Sequence, residues 1–228
     1  RIVVDYHALE VASDPFDALA ENAPRIHDGV PGNLCFDFAY GDAAATDAAF
    51  AGAAHVVQID LRSDRLVGNP MEPKVALAEW QGDTLHLWAP SQGMPGMRGN
   101  LIAATGLPPE KIKVHVGDVG GAFGIRGQMY PEYIALALAA RVVGRPVKWL
   151  ASRSETFLSD YQGRGLHMNV ALALDAKGRF LALRHDWVAD IGAHPSAAGP
   201  ITLIHTGEMA FGAYRIPAVA GRIRMGLT

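Results

Sequence analysis

The chain has 228 residues, half of them apolar, and its 20 Lys and Arg against 23 Asp and Glu leave a net charge of −3. This length and composition exclude a disordered polypeptide and provide for one large or two small apolar cores. No basic run marks a nucleic-acid or anionic-membrane partner, and apolar runs such as Ile134 to Val143 fall well short of the roughly 20 residues of a membrane span. With no signal-peptide pattern at its start, the chain is expected in the cytoplasm. Cys35 is the single cysteine, so the chain alone forms no internal disulfide, cysteine iron–sulfur site or zinc knuckle. Any redox metal must be held by other groups.

In chain order, Ile2 to Val4 reads as a strand, and Pro15 to Leu19 as a short helical turn ending near Asn22. The Pro, Gly and Asn content from Pro24 to Gly41 predicts a long linking loop, and Asp47 to Phe50 a second short helix. Alternating Val57, Ile59 and Leu61 predict a strand over His55 to Leu61, where the ordered body is expected to begin. Val75 to Trp80 and Thr84 to Ala89, joined at Gln81-Gly82-Asp83, predict a hairpin. Met94 to Thr105 has helical periodicity and stops at Gly106 before two prolines.

The stretch KVHVGDVGGAFGIRGQMYPE, Lys113 to Glu132, predicts a strand carrying Val114 and Val116, a glycine bend, and a helix start. Glycines 117, 120, 121 and 124 strip side chains from a bend that can offer free N–H groups to an anionic or oxo ligand. The same pattern also suits a tight strand-to-helix turn that holds nothing.

Tyr130 to Val143 then predicts an apolar helix closed by Gly144, and Val147 to Ala151 a strand. Ser152 and Glu155 stand at capping-box spacing. His167 to Asp175 and Arg179 to Ile191 alternate and meet at Ala176-Lys177-Gly178, a second hairpin. Gly192 to Pro217 predicts a long loop of the kind that borders a site or a partner. The order favours an α+β fold with helices packed on mixed sheets. The scattered histidines have no zinc-ligand spacing. Arg1 opens within a strand-like segment and Thr228 closely follows the apolar-polar run of Ala220 to Leu227, so both ends read as cut from a longer polypeptide.

Six motifs in order carry a resemblance over nearly the whole chain: Pro70-Met71-Glu72-Pro73, Ser91-Gln92, Gly120-Gly121-Ala122-Phe123-Gly124, Gly144-Arg145-Pro146-Val147-Lys148-Trp149, Arg153-Ser154-Glu155 and Tyr214-Arg215-Ile216-Pro217. On them the chain resembles the molybdenum-cofactor-binding large subunit of the xanthine oxidase family, on its aerobic carbon monoxide dehydrogenase-like and aldehyde oxidase-like side. The resemblance implies residues 1–20 as the tail of an α/β hammerhead domain, 21–54 as linker and short helix, and 55–228 as a truncated first molybdopterin-binding domain. It implies that the Gln92 amide and the Phe123–Gly124 backbone reach toward a molybdenum oxo group. The implied cofactor-binding set is Gln92, Gly121, Ala122, Phe123 and Gly124, with Gln92 and Phe123 nearest the metal and the Phe123 ring packed behind the turn.

The parent protein implied is an oxidoreductase that hydroxylates a carbon centre, or oxidises carbon monoxide, with oxygen derived from water. Its cofactor is molybdenum-molybdopterin, in the cytosine dinucleotide form, with 2Fe-2S and FAD on partner iron–sulfur and flavin subunits. In the family the general-base glutamate, the arginine loop and most dinucleotide contacts lie beyond Thr228, so no catalytic residue, and no cofactor bound by this piece alone, is expected here. Purine-oxidising members carry a glutamate where this chain has Gly127. Glu72 reads as a structural acid accepting backbone N–H bonds, and Arg153 to Glu155 as a helix-start cluster. Three alternatives stay open: a non-catalytic binding or scaffold domain of the same fold, a homodimer formed through exposed apolar surface, and a nucleotide site on VGDVGGAFG, whose spacing departs from GxGxxG.

Overall fold

The computed structural model describes residues 2–196 and 199–228. In chain order the elements are α1 (Pro15–Ala18), β1 (Leu34–Gly41), α2 (Ala43–Ala51), β2 (His55–Val67), β3 (Val75–Gln81), β4 (Thr84–Trp88), α3 (Met94–Thr105), β5 (Ile112–His115), α4 (Pro131–Val143), β6 (Val147–Leu150), α5 (Arg153–Ser159), β7 (Gln162–Leu174), β8 (Phe180–Asp190), α6 (Gly199–Glu208) and β9 (Ala218–Gly226). These form two compact units, one of residues 67–162 and the other of residues 1–66 with 163–228. Both are mixed sheets with packed helices, the α+β architecture expected from sequence. Among the described residues no helix is long and apolar enough to cross a membrane.

In the unit of residues 67–162 the strands run in the order β5-β4-β3-β6. Strands β3 and β4 form the predicted hairpin, and β4 pairs with β5 in parallel, Leu85 opposite Ile112 and Trp88 opposite His115. Helix α4 packs on β3 and β6, and α3 on β5. The alternation of β3 and β4 turns Ala76, Ala78, Leu85 and Leu87 onto one face, where they meet Met97, Leu101, Tyr130, Tyr133, Ala137 and Ala140 of the helical layer. Both long helices end where glycine permits a left-handed residue, Gly106 at φ +67° and Gly144 at φ +66°. Helix α5 opens on the expected capping box: the Ser152 Oγ accepts from the Glu155 N–H at 3.2 Å, and the Glu155 carboxylate accepts from the Ser152 N–H at 2.6 Å.

In the other unit the order is β1-β9-β8-β7-β2. The second predicted hairpin is β7–β8, closed by a turn in which Gly178 takes φ +77°. Strand β9 adds parallel to β8 and antiparallel to β1. The core gathers Leu166, Trp187, Ala189, Ile191, Leu203, Ile223, Met225 and Leu227.

Several local expectations are corrected. The second half of the expected loop from Pro24 to Gly41 is β1, which finds its partner, β9, nearly 180 residues later. The ordered body therefore begins before His55. Helix α6 occupies part of the loop expected over Gly192 to Pro217; Ala197 and Ala198 of that loop, like Arg1, lie outside the described residues. Residues 2–4 are not a strand, because Ile2 and Val3 stand in solvent without a pairing edge.

His185, on β8, is 3% exposed, and burial pushes its imidazole from an ordinary 6.5 down to about 4. Between those values the unfolded chain binds a proton that the folded chain does not, so this group lowers stability as pH falls from about 6.5 toward 4. Denaturant midpoints at pH 7 and pH 4.5 check this: His185→Phe is expected to lose less on acidification than the parent chain, and an equal acid loss in both would contradict it.

Candidate molybdopterin-binding site

Two neighbouring parallel strands, β4 and β5, end side by side, and the backbone leaves both at the same edge of the sheet. In open sheets that edge, beyond the carboxyl ends of parallel strands, is where loops can converge on a ligand. After β4 the chain passes through Ser91 and Gln92 into α3; after β5 it passes through the glycine bend into α4. The Gln92 N–H donates to the Arg126 carbonyl at 3.0 Å, which fixes Gln92 beside the bend. The Ser91 Oγ accepts from the Gly93 N–H at 3.0 Å and shapes the entry to α3.

The bend has unusual backbone geometry. Gly121, Phe123 and Gly124 take φ of +108°, +50° and +88°, followed by a 3-10 turn over Ile125–Gly127. For phenylalanine a positive φ is costly and persists only where the surroundings impose it. Closing hydrogen bonds run from the Ile125 N–H to the Ala122 carbonyl and from the Gly127 N–H to the Gly124 carbonyl, both 3.1 Å. Among the described residues, the N–H groups of Phe123 and Gly124 donate to no protein acceptor. Two consecutive unengaged donors in left-handed backbone form the concavity expected of an anion- or oxo-binding turn.

The glycines divide their work differently from the expectation that all of them clear room for a ligand. A Cβ on Gly120 would lie 2.6 Å from the Glu72 Cβ, and one on Gly121 would lie 3.0 Å from the Pro70 Cβ. These two glycines let the Pro70-Met71-Glu72-Pro73 turn press on the bend. A Cβ on Gly124 meets nothing within 4 Å, so this glycine serves the φ angle and leaves the surface open. The Phe123 ring is also corrected: it is 73% exposed and does not pack behind the turn.

Glu72 takes the structural role. Its carboxylate accepts from the Gly120 N–H at 3.0 Å, and its own N–H donates to the Gly120 carbonyl at 3.0 Å. Arg153 donates to the Asn69 side chain and to the carbonyls of Pro70 and Met71 at 2.7 to 2.8 Å, holding the same turn from the other side.

Two cations are buried in this unit, Arg126 within the 3-10 turn after the bend and Lys74 against the Tyr130 ring, and neither stands out in the sequence. Arg126 is 1% exposed; its Nη2 donates to the Glu72 carbonyl at 2.6 Å, and among the described residues its Nε and Nη1 have no partner. A cation buried this close to exposed N–H donors adds positive potential where an anionic group would sit. The only signal was a lone charge in the glycine and apolar stretch GAFGIRGQMY. The Tyr130 hydroxyl donates to the Ile125 carbonyl at 3.1 Å, and burial raises its pKa well above that of a free phenol. The Lys74 ammonium sits 4.3 Å from the centre of the Tyr130 ring.

Among the described residues, no group of three His, Cys, Asp or Glu side chains is placed to hold a metal ion. What this site offers instead is amide donors: the Phe123 and Gly124 N–H groups and, beside them, the exposed Gln92. Such donors fit an oxo or phosphate group carried by a cofactor.

The sequence pattern of the molybdopterin cofactor-binding domain family matches residues 26–228. The carbon monoxide dehydrogenase large chain of Hydrogenophaga pseudoflava is 34% identical over 233 residues, covering 95% of this chain and 29% of that protein. The 6-hydroxypseudooxynicotine dehydrogenase complex subunit gamma of Paenarthrobacter nicotinovorans is 32% identical over 219 residues, covering 95% and 27%. Among solved structures, a Cu,Mo-CO dehydrogenase superposes with a TM-score of 0.88 at 30% identity, over 98% of this chain and 30% of that one. Quinoline 2-oxidoreductase from Pseudomonas putida 86 superposes with a TM-score of 0.90 at 30% identity, over 98% and 29%. The chain thus spans less than a third of the length of these relatives. It belongs to the molybdopterin cofactor-binding domain family, among the molybdenum-binding large subunits of the xanthine oxidase type.

Proposed function

We propose that this chain contributes one wall of the molybdopterin site of a molybdenum hydroxylase, built from Gln92 and the bend of Gly121, Ala122, Phe123 and Gly124. The observation that carries the reading is the pair of unengaged N–H groups at Phe123 and Gly124, in the loop whose Arg126 carbonyl anchors Gln92. When bound, the cofactor supplies the redox chemistry that hydroxylates a carbon centre, or oxidises carbon monoxide, with oxygen drawn from water. This chain's residues do narrower work. Rigid amide donors aimed at a group that gains negative charge on reduction stabilise that charge with little reorganisation. With the cofactor bound, Gln92 and Phe123 would lie nearest the metal, and Gly121 and Ala122 would shape the approach.

The substrate class we favour is carbon monoxide, an aldehyde or a heteroaromatic ring. Gly127 lacks the carboxylate with which purine-oxidising members grip their ring, and the relatives named above include carbon monoxide dehydrogenases and a quinoline oxidoreductase. We further place the cofactor in its cytosine dinucleotide form, with electrons passing to a 2Fe-2S subunit and an FAD subunit. The expected setting is the cytoplasm. Residues 1–20 fit the tail of a preceding hammerhead domain.

The test is Gln92→Ala in the protein produced with its iron–sulfur and flavin subunits. Losing one amide donor to an anionic oxygen should weaken cofactor retention about tenfold, read as molybdenum per polypeptide by elemental analysis. Unchanged metal content and turnover would remove Gln92 from the site, and a protein that never holds molybdenum would point to a non-catalytic module of the same fold.

A further inference from the structure

In the unit of residues 67–162 one face of the sheet carries the apolar core. Strand β4 turns Leu85 and Leu87 into that core, so His86 and Trp88 lie on the opposite face. On β5 Ile112 and Val114 point inward, which puts Lys113 and His115 on the same outer face. Parallel pairing of the two strands brings the imidazoles together across 29 residues of chain, with His86 Nδ1 3.0 Å from His115 Nε2. No local spacing announces this pair.

The two rings are nearly coplanar, at 8°, and one N–H···N bond joins them. The Trp88 ring stacks on His115 with centroids 4.5 Å apart, which limits the tilt of that imidazole. Both histidines are partly exposed, and their outer nitrogens, His86 Nε2 and His115 Nδ1, bond to no described residue and are not closed off from water. Directly opposite His86 stand Glu79 on β3 and Lys113 on β5. The Glu79 carboxylate accepts from the Gln81 amide at 3.2 Å, and the exposed Lys113 can carry its ammonium into water. A cation arriving here meets a carboxylate and a lysine free to withdraw.

Two metal–imidazole bonds of about 2.1 Å at a right angle hold their nitrogens about 3.0 Å apart. The separation of the His86 and His115 nitrogens is therefore that of neighbouring ligands on one ion. To free both lone pairs, the shared proton moves to the outer nitrogen of the ring that carries it. This is a change of tautomer in a neutral imidazole, and no proton is lost. Imidazole suits late first-row ions, among which Cu²⁺ binds most tightly and favours ligands at right angles.

We propose that His86 and His115 chelate a divalent late transition-metal ion, Cu²⁺ most tightly, with water completing its shell. The site is independent of the molybdopterin reading, since it uses neither Gln92 nor the glycine bend.

The test titrates the 228-residue chain with Cu²⁺, Zn²⁺ and Mg²⁺ by calorimetry and follows the histidine ring C–H resonances. Substoichiometric Cu²⁺ should broaden His86 and His115 first, Zn²⁺ should shift the same two at higher concentration, and Mg²⁺ should move neither. His86→Gln and His115→Gln, each checked for folding by circular dichroism, should weaken Cu²⁺ binding at least about tenfold, the lower bound for disturbing even a ligand's supporting partner. His194→Gln is the control, because the His194 ring lies 5.2 Å from that of His27 in another close histidine pair, and it should bind as the parent does. The proposal is overturned if Cu²⁺ broadens other histidines first, if Zn²⁺ binds more tightly than Cu²⁺, or if either folded variant keeps the parent's affinity. Should one variant fail to fold, the other and the order of broadening in the parent chain decide.

Discussion

Lys74→Met is expected to destabilise the unit of residues 67–162 by about 3–5 kcal/mol, the range for breaking a buried ion pair from one side. The Lys74 side chain is fully buried, with its ammonium 3.0 Å from Glu132, 2.8 Å from the Ser159 hydroxyl and 3.5 Å from Asp160. Asp160 is itself fully buried, and among the described residues neither of its carboxylate oxygens receives a hydrogen bond. Among the described residues, Lys74 is the cation that pairs with it. Without that cation the buried carboxylate loses its compensating charge, which costs stability. Adding Asp160→Asn removes the stranded charge. The double variant should recover about 0.5–3 kcal/mol relative to the sum of the two single changes. Urea midpoints of the four proteins measure this; strict additivity would show that the pair is not coupled.

The second large effect is at the bend. Gly121→Ala places a methyl 3.0 Å from the Pro70 Cβ and 3.3 Å from the Phe123 ring, at a φ of +108° that side-chain-bearing residues rarely adopt. A cost of about 1–3 kcal/mol is expected from the backbone conformation. Relief of the contact with Phe123 should shift the adjacent N–H donors, so molybdenum retention in the assembled protein should fall along with stability. Gly127→Ala is the matched control: nothing lies within 4 Å of the added methyl, and a change within about 0.5 kcal/mol is expected. If Gly121→Ala behaves like Gly127→Ala, the Pro70 turn does not brace the bend.

What could be read from sequence was local. Gly106 and Gly144 announced helix ends because only a residue free of a Cβ takes the left-handed angle without penalty, and the Ser152–Glu155 spacing announced a capping box within four residues. Both hairpins were legible because turn and alternation lie within one short stretch. Strand β1 was not, since the Pro and Gly upstream read as a loop and its pairing depends on β9. In hindsight the alternation of Phe36, Phe38 and Tyr40, whose neighbouring rings lie 6.2 and 5.9 Å apart, was a strand signal. At the candidate site the motif residues were visible, but their supports were not. Lys74 meets Glu132 and Ser159 across 58 and 85 residues of chain, and Arg126 is buried by the turn at Glu72. Burial of a charge by distant segments leaves no periodic mark.

Under the proposed function, the Phe123 and Gly124 N–H groups face the molybdopterin cofactor. Amide hydrogen exchange over residues 117–127 tests it most directly, comparing the assembled protein purified with its cofactor against the same protein from cells unable to make it. Exchange at these two amides is expected to slow markedly on loading, because unengaged donors become engaged, while the Ile125 and Gly127 amides, already bonded within the turn, change little. Equal exchange at Phe123 and Gly124 in the loaded and cofactor-free protein would contradict it.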